Sequence, residues 1–229
     1  MKSTLSRAIK AAAVISAVLL AVACESAPGK QGGESASQKS MKVCRDALGA
    51  KDVEALKRGL GDDARASAAP SSSLRDAMLE DARRWDSESF KIKIRGPYER
   101  CRLTWYKSDK ASPSVVAEVK WSYSTMEMVT QGRSGMREIA DDIYSTPFVR
   151  NSYLIVFPCR VAGSAPGQRA GMPLEIQFMG NRVSEEEPGL PGRVVVALAR
   201  DTQKLLGCKD SPRIPDRLSL PKPPSSDTF

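Results

Sequence analysis

Apolar residues recur every three to four positions in the stretch after residue 40 and every second position beyond residue 90, and this change of period organises the chain. Met41, Cys44 and Leu48 stand at i, i+3 and i+7. Gly49 interrupts, and Val53, Leu56 and Leu60 resume the spacing, with Asp52 the expected N-cap of a second short helix. A third helix is expected from Ser73, whose hydroxyl would cap it, with Asp76 in the first turn and Leu74, Met78, Ala82 and Trp85 as its apolar stripe. Alternation then predicts strands. Phe90, Ile92 and Ile94 alternate with Lys91, Lys93 and Arg95; Cys101, Leu103 and Trp105 with Arg102, Thr104 and Tyr106; and Val115, Ala117, Val119, Trp121 and Tyr123 with mainly polar neighbours. Met136, Ile139, Ala140 and Ile143, after Gly132 and Gly135, predict one short amphipathic helix. Two more strands follow: Ser152 to Val161, apolar on both faces around Leu154 to Phe157 and so central, and Leu174 to Met179. Between Arg193 and Leu206 the three valines 194 to 196 favour a strand, but the length, Leu198, Leu205, Leu206 and the Gly207 stop favour a helix, which is the expectation adopted.

Helices first and antiparallel strands afterwards describe an α+β fold. It consists of N-terminal helices packed on a curved, mainly antiparallel sheet of about five strands, with a C-terminal helix. The ends of the chain read differently. Residues 25–37 are small and polar and cannot bury enough surface to fold, so they are expected to form a flexible tether. Residues 211–229 carry prolines at 212, 215, 221, 223 and 224, which predicts a disordered tail. Residues 38–210 remain as one α+β domain of about 170 residues, long enough for a real core.

Composition alters the functional reading more than the fold. The 229 residues include no histidine. That removes Ser-His-Asp and Cys-His nucleophiles, zinc sites with imidazole ligands, and the side chain that normally titrates between about pH 5 and 8. Lys2, Arg7 and Lys10 precede an apolar run from Ala11 to Ala23, shorter than the roughly 20 apolar residues a membrane-spanning helix needs. Residues 1–23 therefore read as a secretory signal. Its removal takes away three cations and no acid, lowering the formal net charge from +8 to +5. The remaining excess is spread along the chain, without the concentrated basic patch of a nucleic-acid binder.

The apolar run ends in Ala21-Val22-Ala23-Cys24, and here the chain resembles a bacterial lipoprotein cut by signal peptidase II. The resemblance implies that Cys24 becomes the first residue and carries acyl chains. Ala21 stands where the lipobox usually has Leu, and Glu25 stands where inner-membrane retention in enteric bacteria would want Asp, which favours the outer membrane. With Cys24 used as an anchor, Cys44, Cys101, Cys159 and Cys208 are an even set in an oxidising compartment, and two disulfides are expected. Three connectivities are open; strand phase points first to Cys101–Cys159, with Cys44–Cys208 tying the first helix to the end of the last. A second resemblance covers Cys44 to Ala64 (CRDALGAKDVEALKRGLGDDA), which is similar to the opening of nuclear-transport-factor-like and cystatin-like cone domains. It implies a helix, a turn before Asp and a second helix ahead of the sheet, and it lends no functional residue. The expected helices near residues 136–144 and at the C-terminus depart from the cone pattern.

The remaining chemistry is sparse. Asp62-Asp63, Asp141-Asp142 and Glu185-Glu186-Glu187 are the acidic clusters, each on an expected loop or helix surface and none showing two carboxylates across a cleft. The Ser-x-x-Lys spacing falls at Ser219 and Lys222, inside the proline-rich end. Gly163, Gly167 and Gly171 punctuate a loop without a nucleotide-binding pattern. No catalytic residue, metal site or cofactor is therefore expected. Two surfaces stand out: a basic stripe of Lys91, Lys93, Arg95 and Arg102 facing an anion or an acidic partner, and a methionine-rich segment with Met126, Met128 and Met136 as a partner loop. The functional expectation is a lipid-anchored envelope protein that docks other envelope proteins without catalysis. The alternative is a small-molecule or lipid-binding module whose pocket is lined by Trp85, Trp105, Trp121, Tyr123 and Phe157.

Overall fold

The structure, a computed structural model, describes residues 35–61, 63–86, 96–105, 114–146, 152–180, 187 and 189–220. Three helices come first: α1 (Ala36–Leu48), α2 (Ala50–Leu60) and α3 (Ser71–Arg84), with the short strand β1 (Arg65–Ser67) between the last two. Then follow β2 (Tyr98–Thr104), β3 (Ser114–Trp121), α4 (Met126–Thr130), β4 (Arg137–Ala140), β5 (Ile143–Ser145), β6 (Ser152–Phe157), α5 (Gln168–Gly171), β7 (Leu174–Gly180) and α6 (Leu190–Leu206).

Seven strands form one antiparallel sheet in the order β1-β2-β3-β7-β6-β5-β4. Two meanders meet where β3 pairs with β7 over seven residues, from Val115 opposite Gly180 to Trp121 opposite Leu174. The α+β class is as the sequence predicts. β1, β4 and β5 are additional, and the strand expected at Phe90 to Ile94 lies outside the described residues. β6 has a neighbour on each side and apolar residues on both faces, as its pattern implied.

Alternation along the strands sends Cys101, Leu103, Val115, Ala117, Val119, Trp121, Ile155, Phe157, Leu174, Ile176 and Phe178 into one core beneath the helices. α6 lies over this face and contributes Leu190, Val194, Val195, Leu198, Ala199 and Leu206. It ends at Gly207 (φ 63, ψ 43), the left-handed cap expected of that glycine. On the opposite face Val129, Tyr144, Leu154 and Val156 form a second, small cluster.

Local expectations fail at three helix boundaries. α1 begins at Ala36, inside the stretch read as a tether, because Ser35 and Gln38 form a reciprocal capping box. Gly49, not Asp52, is the N-cap of α2; Asp52 lies in its first turn and accepts from Arg193 Nε at 2.8 Å, joining the starts of α2 and α6. α3 begins at Ser71 behind Pro70, not at Ser73, and Ser71 Oγ is held by Arg100.

The segment expected as a helix around residues 136–143 is instead the β4–β5 hairpin. Its helical spacing is coincidental: Asp142 (φ 56) turns the chain between Ala140 and Ile143, which face each other across the strands. Trp121 ends β3, so Tyr123 falls beyond the alternation and is 69% exposed, where it was expected to face inward.

Cys44 bonds Cys101, joining α1 to β2, and Cys159 bonds Cys208, joining the end of β6 to the residue after the α6 cap. Two disulfides were expected, but the favoured pairing is corrected. β2 and β6 are separated by β3 and β7, which places their backbones about 14 Å apart at roughly 4.8 Å per strand. A disulfide needs Cα atoms within about 7 Å. The observed pairs have Cα separations of 5.2 and 5.1 Å.

Residues 211–220 lack regular structure, as the prolines require, yet they are not a loose tail. Ile214 is 3% exposed and Leu218 and Leu220 pack against the main core. The segment runs back along α6 as a strap.

Candidate interaction surfaces

The outward faces of β2, β3, β7 and β6 form a grid whose rows follow from the register. Arg102, Val116, Met179 and Ser152 make one row; Glu99, Glu118, Gln177 and Leu154 the next; and Lys120, Glu175 and Val156 a third. The bulge between Glu99 and Cys101 breaks the phase of β2. Arg100 is consequently turned to the helix side, 2% exposed, where it donates to Asp201 at 3.0 Å and to Ser71 at 2.9 Å.

Within the grid most charges are matched. Arg102 pairs with Glu99 at 2.6 Å, Lys120 with Glu175 at 2.8 Å, and Gln177 donates to Ser152 Oγ at 2.8 Å. Glu118 differs: among the described residues its carboxyl group has no hydrogen-bonding or ion-pair partner. Burial raises its carboxyl above the ordinary glutamate value, Glu99 adds to the rise, and Arg102 and Lys120 oppose it. Of the expected basic stripe, Lys91, Lys93 and Arg95 lie outside the described residues, and Arg102 is engaged by Glu99.

The connection between β3 and β4 is laid over the far end of the same face. Thr125 caps α4 by accepting from Met128 N at 3.2 Å, and Val129 points inward at 1% exposure. Met126 and Met136 pack against the small cluster of Val129, Tyr144, Leu154 and Val156. Two of the three methionines assigned to a partner loop therefore anchor the loop, and Met128 is half-buried. Tyr123, at the start of the connection, stands in solvent with the Lys120 ammonium 5.9 Å from its ring centroid.

No family model, curated protein or solved structure matches this chain. The surfaces are accordingly read from their chemistry.

Among the described residues no three carboxylates or thiols converge as metal ligands. Asp63 is exposed, Asp141 and Asp142 occupy the hairpin turn with Asp142 3.7 Å from Arg169, and Glu187 pairs with Arg193; Asp62, Glu185 and Glu186 lie outside the described residues. So does Cys24, and so does Lys222, which leaves the Ser219 pair without geometry. Gly163 (φ 79) and Gly167 (φ 118) shape the loop before α5, whose Gln168 is fully buried and hydrogen-bonded to the backbone around it.

The aromatic set is mostly core. Trp121 and Phe157 are fully buried, Trp121 donates its indole N–H to Met78 O at 3.0 Å, Trp85 is 9% exposed and Trp105 packs on the same core. Outside that core an open groove of about 800 Å³ runs along α1, lined by Ser35, Gln38, Met41, Lys42, Arg45 and Asp46. Sequence reasoning overlooked Glu118, the exposure of Tyr123 and the strap. The strap alone had a legible signal, in Ile214, an apolar residue two positions after one proline and one before the next.

Proposed function

We propose that this chain is a lipid-anchored subunit of the cell envelope that docks other envelope proteins and performs no chemistry of its own. The observation that carries the reading is the β3–β4 connection. Its inner methionines and Val129 fix the loop on the sheet, while Tyr123 stays 69% exposed as the large apolar side chain left in solvent among the described residues. Aromatic side chains on rigid supports make effective interface anchors because they bury much area at little conformational cost. Two disulfides hold the scaffold beneath it. A Cys24 anchor would raise the local concentration of any membrane-bound partner, so a small contact could suffice.

The test is a photo-crosslinking amino acid at position 123, irradiated in intact cells. Adducts to an envelope protein, lost when Cys24 is replaced by Ala, are expected. Recovering no adduct from position 123 while a control position in the same protein does crosslink would count against the reading. The pocket alternative gains no support from the aromatic residues, which fill the interior or leave it.

A further inference from the structure

The strap along α6 is built like a bound peptide. Gly192, Val196, Arg200 and Gln203 recur at i, i+4, i+8 and i+11, so they share one stripe of the helix. Each described side-chain polar contact along that stripe reaches the strap backbone or a strap carboxylate. Gln203 Nε2 donates to Pro212 O at 2.9 Å, and Arg200 Nη2 donates to Ile214 O at 2.8 Å and to Asp216 Oδ1 at 2.6 Å. Ile214 is the apolar plug at 3% exposure, and Val196 on the stripe is 4% exposed. Gly192 leaves room for the chain, since a Cβ there would stand 3.3 Å from Leu218 O. No strap residue belongs to a helix or strand, so these side chains, and not a ladder, hold its carbonyls. Pro212 and Pro215 preset an extended conformation, which lowers the entropy lost on seating.

We propose that this α6 stripe is a receptor groove for extended, proline-containing peptides of the form Pro-x-Ile-x-Asp, that the strap occupies it in the resting chain, and that a partner segment of the same chemistry displaces it. Gln203 reads the carbonyl of the proline, Arg200 reads the carbonyl of the aliphatic plug together with an acid two residues on, and Gly192 admits the continuing backbone. An intramolecular occupant acts at an effective concentration in the millimolar range. The strap thus excludes weak peptides and yields to a partner that is itself concentrated at the same surface. The proposal deepens the docking reading by giving it a second place, and rests on that reading for the protein that bears the peptide.

The experiment uses the purified full chain and, as probe, a fluorescent peptide with the sequence of residues 211–220. The wild-type chain should exclude the peptide, and Ile214→Asp, which unseats the strap, should bind it. Adding Arg200→Ala to that variant should weaken binding by about tenfold, the scale of losing a charge-assisted contact. Leu218→Asp, further along the strap, provides an independent release, and circular dichroism with disulfide mapping reports that each variant is folded. Folded release variants that do not bind, a wild-type chain that binds equally well, or equal binding with and without Arg200 would each overturn the proposal. So would failure of both release variants to fold, which would make the strap an inseparable part of the domain. A wild-type chain that sediments as a strap-exchanged dimer would assign the groove to a second copy and overturn the partner reading. Because this assay needs neither anchor nor Tyr123, its failure leaves the crosslinking result standing, and the converse holds.

Discussion

Gln168 shows how one side chain can hold a connection that has little regular structure. It is completely buried, accepts from Val161 N and Ser164 Oγ at 3.1 Å each, and donates to Cys159 O at 3.1 Å and Met172 O at 3.2 Å. Gln168→Leu keeps the volume but strands buried backbone groups, and should cost about 3 kcal/mol. A lower urea midpoint with an unchanged slope would show it. Glu118 makes the opposite contribution. Its folded pKa is raised from 4.5, so the folded state holds the proton after the unfolded chain has released it. Stability attributable to this group is therefore present below pH 4.5 and falls as pH rises through the folded value. Glu118→Gln should melt at a higher temperature than wild type at pH 7, and the difference should vanish in melts below pH 4.5, where both carry a neutral side chain. An advantage that persists at low pH would show that burial of charge is not the cause.

At the scale of elements, the hairpin between β4 and β5 is the informative case. Its apolar residues fall at helical spacing, but Asp142 at φ 56 adopts a conformation that glycine accepts more readily than aspartate. Asp142→Gly should hold or raise stability by up to about 1 kcal/mol, while a β-branched residue there should lower it; thermal melts compare the two. The long elements were legible because many residues vote on each: the strands at 98–104 and 114–121 and β7 follow from alternation, β6 from an unbroken apolar run, and α6 from its length and the Gly207 stop against the pull of three valines. Short ones were not. β1 has three residues, and its place depends on pairing with Thr104, Leu103 and Arg102, which no local pattern encodes. The helix caps were misjudged for a related reason. Asp52 and Ser73 are good capping residues beside better-placed competitors, a glycine and a proline, and tertiary partners on α6 and β2 decide where each helix begins. Of the candidate surfaces, the methionine segment was visible as composition. Which methionines turn inward depends on β5 and β6, far along the chain.

For the whole molecule, the two disulfides and the strap define what must stay together. Each bridge closes a loop of similar length, with separations of 57 and 49 residues, and in the chain-entropy account each contributes about 4 kcal/mol. Replacing Cys44 and Cys101 together by serine should lower unfolding free energy by about that amount, measured by denaturant titration in the absence of reductant. Non-reducing peptide maps of the wild type should recover Cys44 with Cys101 and Cys159 with Cys208.

The pairing has one more consequence. Each bridge joins a cysteine to the next one along the sequence, so the two loops neither interlock nor overlap. A chain threaded across a membrane amino end first would present Cys44 and Cys101 before Cys159 emerges. With Cys24 taken up by the proposed acylation, the simplest oxidant, one that couples thiols in order of arrival, would then produce the native arrangement directly. A chain exported in that way would have no wrong bond to undo and no need of a shuffling enzyme to finish its maturation.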